Sequence, residues 1–398
     1  MGSNVIQSKK PKDILALAGA RAFPPLMVVL FHFSEGHHYS GVPWIDLAAT
    51  RGYLWVEFFF VLSGFILTHV YGARLADLFT RRGYTNFLQA RLTRLYPLHL
   101  FMLLALAALL WGARGLALAG GYRSIYDIKY HPDMSTMGFV LSLFLVHSWN
   151  TMRTLTWNGV SWFVSVEFAL CLMFPLFVWL ANGKLWRGFV LIAAGLAGVT
   201  ALDLTSLHGL DITYYNGVLR GLSDFSVGVG LAVLFRSADG IARLPAMVHS
   251  LFQLVLLAWL GWATYRTGWS HTHKDILTVL PIMTMVFVLA FDKGFLAEAL
   301  KTRLPQMLGA WSYAIYMGQT FWLQSLRIFE QRLYPAPDAF VLGTRFSTLI
   351  WWLEPTALVL VCIGWGAMLA MYIEHPAAAW LKRFFSRTLD RPVAATPS

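Results

Sequence analysis

The chain has 398 residues, of which 57% are hydrophobic and only 13% charged, and its formal net charge is +11. Soluble domains carry roughly 25% charged residues, so the composition excludes an ordinary soluble protein and indicates an all-α polytopic membrane protein. Cys171 and Cys362 both fall inside apolar runs and give no sign of a disulfide framework or a thiolate metal centre.

About ten spanning segments are expected, over residues 14–34, 52–71, 95–112, 160–181, 187–203, 217–235, 246–265, 276–291, 306–328 and 347–373. The first lacks a small-residue cleavage site and reads as a retained helix. The apolar stretch 136–147 is too short to span and reads as a re-entrant or interfacial helix. With both termini cytoplasmic, most Lys and Arg fall on inner loops, among them Lys9, Lys10, Lys12, Arg81, Arg82, Arg91, Arg94, Lys184, Lys382 and Arg383. Orientation therefore accounts for much of the positive charge, and no nucleic-acid partner is needed. Seventeen Trp and fifteen Tyr suit aromatic belts at two interfaces. A single transmembrane domain over 1–380 is followed by a basic cytoplasmic tail, 381–398.

The first segment holds two ionisable side chains, Arg21 and His32. Eleven helical residues rise about 16 Å and turn close to three revolutions, so the two share roughly one face, subject to a kink at Pro24 and Pro25. A cation and an imidazole are costly in lipid and normally face a protein interior or a water-filled path. Glu57 begins the second segment, and Glu167 lies in the outer half of the fourth. A carboxylate beside His32 would hold its tautomer and stabilise the imidazolium formed when it accepts a proton from a hydroxyl. The competing reading is a structural His–Glu pair between helices. Arg91 and Arg94 lie three apart on one helix face, suited to phosphate oxygens or to a membrane-surface anchor. Arg220 and Asp224, one turn apart, read as a neutralising pair. His37, His38, His271 and His273 read as solvated loop residues rather than metal ligands. No metal is expected.

In order, the chain carries Arg21-x10-His32; Val56–Phe65; Arg91–Pro97; Ser161–Glu167 with Phe174-Pro175; Gly309–Tyr316; and Glu374-His375-Pro376. This set resembles the acyltransferase 3 integral-membrane acyltransferases, which modify sugars of surface polysaccharides and lipopolysaccharide, and also antibiotics. The resemblance implies a ten-helix enzyme of the cytoplasmic (inner) membrane. It would move an acyl group, acetyl by default, from cytoplasmic acyl-CoA to a hydroxyl of an extracytoplasmic or lipid-linked glycan. It further implies that His32 is the base, that Arg21 completes its signature, and that Arg91 and Arg94, with Arg21, engage the donor phosphates. Glu57 or Glu167 would orient the imidazole. Ser63, Trp162, Tyr313, Tyr316 and Gln319 are the candidate substrate contacts. Family members often carry His where this chain has Gly318-Gln319, and many carry a C-terminal hydrolase-like domain that is not seen here. Direct transfer fits better than a covalent acyl-enzyme, since no activated Cys or Ser constellation is visible. A proton-coupled transporter of a lipid or glycan is the alternative, opposed by the missing inverted repeat.

Overall fold

A computed structural model describes residues 13–34, 46, 49–72, 75–120, 134–267, 273–333 and 348–389. His37, His38, His271 and the end of the basic tail lie outside these residues. Every regular element among them is helical. In order they are α1 (Leu15–Ala20), α2 (Phe23–Ser34), α3 (Val56–Tyr71, entered through a 3-10 turn, Gly52–Trp55), α4 (Arg81–Ala119), α5 (Thr136–Leu143), α6 (Trp162–Ala181) and α7 (Leu185–Thr205). There follow α8 (Gly217–Arg236), α9 (Ala246–Thr267), α10 (Ile276–Leu289), α11 (Phe295–Leu300), α12 (Arg303–Leu333), α13 (Thr348–Leu369) and α14 (His375–Leu389). Among the described residues, eight helical stretches are long and apolar enough to cross a membrane. Of the ten expected spans, the remaining two correspond to α10, with 14 residues, and α12, whose 31 residues include Ser312, Gln319, Gln324 and Arg327. The stretch expected to be short is α5, eight residues capped by the Ser135 side chain, which accepts from the Gly138 N–H.

The first span is broken rather than merely kinked. The chain turns at Arg21 and Ala22, upstream of the two prolines, which sit in the first turn of α2. A continuous helix would drive the rings of Pro24 and Pro25 into the carbonyls of Ala20 and Arg21, four residues back, and leave those carbonyls without donors. Restarting the helix at Phe23 places both prolines where no intrahelical N–H is required. Arg21 and His32 thus belong to the junction and the far end of a separate helix, not to one unbroken face.

At the centre, α3, α7 and α8 meet at backbone distance. A Cβ on Gly64 would lie 2.3 Å from the Phe225 carbonyl oxygen, and one on Gly228 would lie 2.0 Å from that of Val61. Gly195 and Gly230 allow the same approach between α7 and α8. Small residues are the usual means of bringing membrane helices together, because lipid supplies no hydrophobic drive between them. Large apolar side chains such as Trp111, Leu116, Phe144, Trp179, Trp186 and Phe252 point outward, as expected where the solvent is hydrocarbon.

Two buried ion pairs tie the ends of these helices. Arg220 of α8 donates from Nε to Glu57 Oε1 at 2.8 Å, from Nη1 to the Ile212 carbonyl at 2.9 Å and from Nη2 to the Tyr53 carbonyl at 3.2 Å. Its guanidinium also lies 5.2 Å from the ring centroid of Trp162. The expected Arg220–Asp224 pairing is therefore secondary: Glu57 on the neighbouring helix takes the hydrogen bonds, while Asp224 contributes charge beside them. In the second pair Arg51 Nη1 lies 2.6 Å from Asp275 Oδ1, and the Tyr53 hydroxyl and the Leu210 N–H both donate to Asp275 Oδ2 at 2.8 Å.

Glu57→Ala is expected to leave Arg220 buried and uncompensated, at a cost of about 3–5 kcal/mol, read as a drop in thermal unfolding temperature in detergent. Gly228→Val should cost at least about 1–3 kcal/mol by overpacking. Gly240→Ala, where an added Cβ meets nothing within 4 Å, should leave the transition in place.

Candidate active site

Six elements converge on one cavity, holding about 800 Å³ of space outside the atoms when its open mouth is included. The α1–α2 junction contributes Arg21, α3 contributes Phe59 and Ser63, and α4 contributes Arg91 and Arg94. From α6 come Phe163 and Glu167, and from α12 come Tyr313 and Tyr316. Seven of the eleven residues singled out from sequence thus share a single chamber: Arg21, Ser63, Arg91, Arg94, Glu167, Tyr313 and Tyr316. Leu62, Ile66 and Leu67 supply much of the apolar wall.

The charged residues of this chamber act on one another. Arg94 keeps an exposed side chain although it opens into the interior. It interacts electrostatically with Arg21, Arg91, Glu167 and Glu374. Arg91 stacks over the Phe87 ring at 6.0 Å, and its Nε is buried with no hydrogen-bond partner. Ser63 donates to Glu167 Oε1 in a short contact, which leaves Glu167 Oε2 buried and unpartnered. The Tyr313 hydroxyl donates to the Leu95 carbonyl at 2.6 Å and braces α12 against α4.

Three aromatic rings of the chamber lining pack on one another. Phe59, Phe163 and Tyr316 form a closed triangle with centroid separations of 5.8 Å, 5.6 Å and 6.4 Å. Rings at such spacing are in van der Waals contact. His32 is not among the residues that line the chamber. Its ring packs on Phe31 at 5.1 Å, and Phe31 in turn packs on Tyr53 at 5.3 Å. Tyr53 precedes Phe59 by six residues, roughly 10 Å along the chain's helical rise.

The other sequence candidates fall outside the chamber. Glu57 is held by Arg220, and Trp162 is packed between Arg220 and Phe60. Gln319 is fully buried and donates from Nε2 to the Tyr316 carbonyl at 2.9 Å. Neither carboxylate considered as a partner for His32 spends its hydrogen bonds there: Glu57 Oε1 goes to Arg220 and Glu167 Oε1 to Ser63.

Two groups escaped sequence reasoning. Glu374, in the π turn Ala370–Glu374 of the long final helix, interacts electrostatically with Arg94 and Arg21; its place in the Glu-His-Pro motif was the only available signal. His99 and His147 stack with centroids 6.1 Å apart, and His147 Nε2 lies 3.0 Å from Ser161 Oγ. This is not an activated serine, because Ser161 gives its proton to the Asn158 carbonyl at 2.7 Å, so His147 must donate. No local pattern joins three residues that lie on separate elements.

Known proteins resemble this chain over most of its length. A family model described as an acyltransferase domain matches residues 14–373. The acyltransferase MdmB of Streptomyces mycarofaciens is 28% identical over 409 aligned residues, covering 96% of this chain and 94% of that protein. Protein 2 of the picA locus of Rhizobium radiobacter is 32% identical over 163 residues, 40% of this chain and 76% of that protein. No solved structure matches.

The closed triangle makes a labelling prediction. An Arg94→Cys variant should react with a membrane-impermeant thiol reagent from one side only, and His32→Cys only from the other. Native Cys171 and Cys362, at 0% and 1% exposure, should stay silent. Labelling of both positions from the same side would show that the rings do not separate them.

Proposed function

The chain belongs to the acyltransferase 3 family, whose model spans nearly all of it, and on that premise we propose that this membrane acyltransferase takes its acyl group from acyl-CoA. The carrying observation is the convergence of Arg21, Arg91 and Arg94 on one cavity with an open mouth. Guanidinium groups suit phosphate oxygens in geometry and charge, and acyl-CoA presents several phosphates at one end and a thioester at the other. The apolar and tyrosine part of the lining, Leu62, Ile66, Leu67, Tyr313 and Tyr316, suits the pantetheine arm. Glu167 Oε2, buried without a partner, is an acceptor for an amide N–H of that arm.

The acceptor is a hydroxyl, in our reading that of a glycan or a related molecule on the extracytoplasmic side. Its oxygen attacks the thioester carbonyl while His32 takes its proton. The C–S bond then breaks, an ester remains on the acceptor, and the departing thiolate takes a proton to leave as CoA. For this to occur the Phe59–Phe163–Tyr316 triangle must part to let the acyl group through. At rest it keeps the thioester away from outside water. Glu57 is assigned to the architecture, holding Arg220 and through it Trp162, rather than to the orientation of His32. MdmB is named an acyltransferase, and family membership favours group transfer over the transporter reading.

CoA should raise the unfolding temperature of the purified protein, and Arg91→Ala with Arg94→Ala should remove that gain. His32→Ala should retain CoA stabilisation while losing transfer by about 10²-fold or more, the scale of a general base. Transfer is read as the mass shift of surface glycan or secreted small molecules between cells with and without the gene. Turnover near that of the unmodified protein would remove His32 from the mechanism.

A further inference from the structure

The long C-terminal helix does not run straight through. Between α13 and α14 it widens into a π turn, Ala370–Glu374. Pro376 explains the position: in a regular helix its ring would meet the carbonyl of Tyr372, four residues back, and a wider turn at that point relieves the clash. Such single π turns recur at functional sites because they re-aim one side chain. Here the re-aimed residue is Glu374, the last of the turn. It is only 8% exposed, and its Oε2 has no hydrogen-bond partner. Its electrostatic partners are Arg94 and Arg21, both of which line the chamber. The turn itself packs against α4, which carries Arg94, and against α12.

Glu374 is not spent in a hydrogen-bonded ion pair, as Glu57 is on Arg220 and as Asp275 is, whose two oxygens accept from Arg51, Tyr53 and Leu210. A loosely held carboxylate beside cations is instead a group that another anion can displace. We propose that Glu374 is the resident anion of the donor site, neutralising Arg21 and Arg94 until a polyanionic ligand replaces it. The competition gives selectivity: a ligand with one phosphate gains too little to displace the carboxylate, whereas a diphosphate gains enough. This inference rests on the donor reading above, and deepens it by specifying what charge the donor must bring.

The test uses the full-length protein with Glu374→Gln and Glu374→Asp, measuring binding of CoA, pyrophosphate and inorganic phosphate by calorimetry or thermal shift. Removing the charge in Glu374→Gln should tighten CoA and pyrophosphate by about tenfold, the scale of one nearby charge in a partly solvated site, and should make inorganic phosphate binding measurable. Glu374→Asp, which draws the charge back by one methylene, should tighten both by a smaller factor; it also carries the test if the Gln variant fails to fold. Unchanged or weakened affinity for both ligands overturns the assignment and makes Glu374 a support for the arginines. If CoA binds none of the proteins while pyrophosphate binding tightens, Glu374 keeps its role and the acyl-CoA donor falls. If CoA binds the unmodified protein and Glu374 variants do not alter its affinity, the reverse holds.

Discussion

Every cation inside this molecule has to be answered by something other than bulk water, and the manner of each answer divides scaffold from site. Arg220 is answered completely, by the Glu57 carboxylate, two backbone carbonyls and the face of Trp162. Arg51 is answered by Asp275, Tyr53 and the Thr267 carbonyl. Both clusters hold helices in register, and neither is part of the chamber lining. Arg21, Arg91 and Arg94 are answered only in part, by Glu167 and Glu374, and they open onto a chamber. Incomplete compensation at this place is what supports reading the chamber as an anion-binding site among helices otherwise built for lipid.

The second constraint is separation. A membrane enzyme that takes a donor from one side and an acceptor from the other must keep the two compartments apart. In the transfer proposed here, three aromatic rings from α3, α6 and α12 would do so with few atoms, because planar rings in contact close a gap without polar groups that would need partners. Their positions are set by the glycine contacts at Gly64 and Gly228, which bring α3 against α8, and by Tyr313, which fixes α12 to α4. His32, near the end of α2, is not part of the lining that holds the three arginines.

Much of this was legible in the linear chain. The spans followed from apolar length, and Arg91 with Arg94 followed from a spacing of three, since one helix turn carries both to the same side. Other features were not. The break at Arg21 lies three and four residues ahead of Pro24 and Pro25, because a proline disturbs the carbonyl behind it rather than its own position. Glu57 invited pairing with His32, yet met Arg220, which lies 163 positions away. Glu374 carried no visible role until a π turn aimed it at two arginines from other helices.

What the chain determined unaided was therefore the set of its local, one-dimensional properties: which stretches dissolve in hydrocarbon, which side chains share a helical face, and the order of the motifs. Which carboxylate meets which cation, which aromatic rings touch, and which polar atoms are left unpartnered were decided only by packing. Those pairings depend on the rotation and depth of each helix against its neighbours, and a periodicity read along one helix carries no information about either.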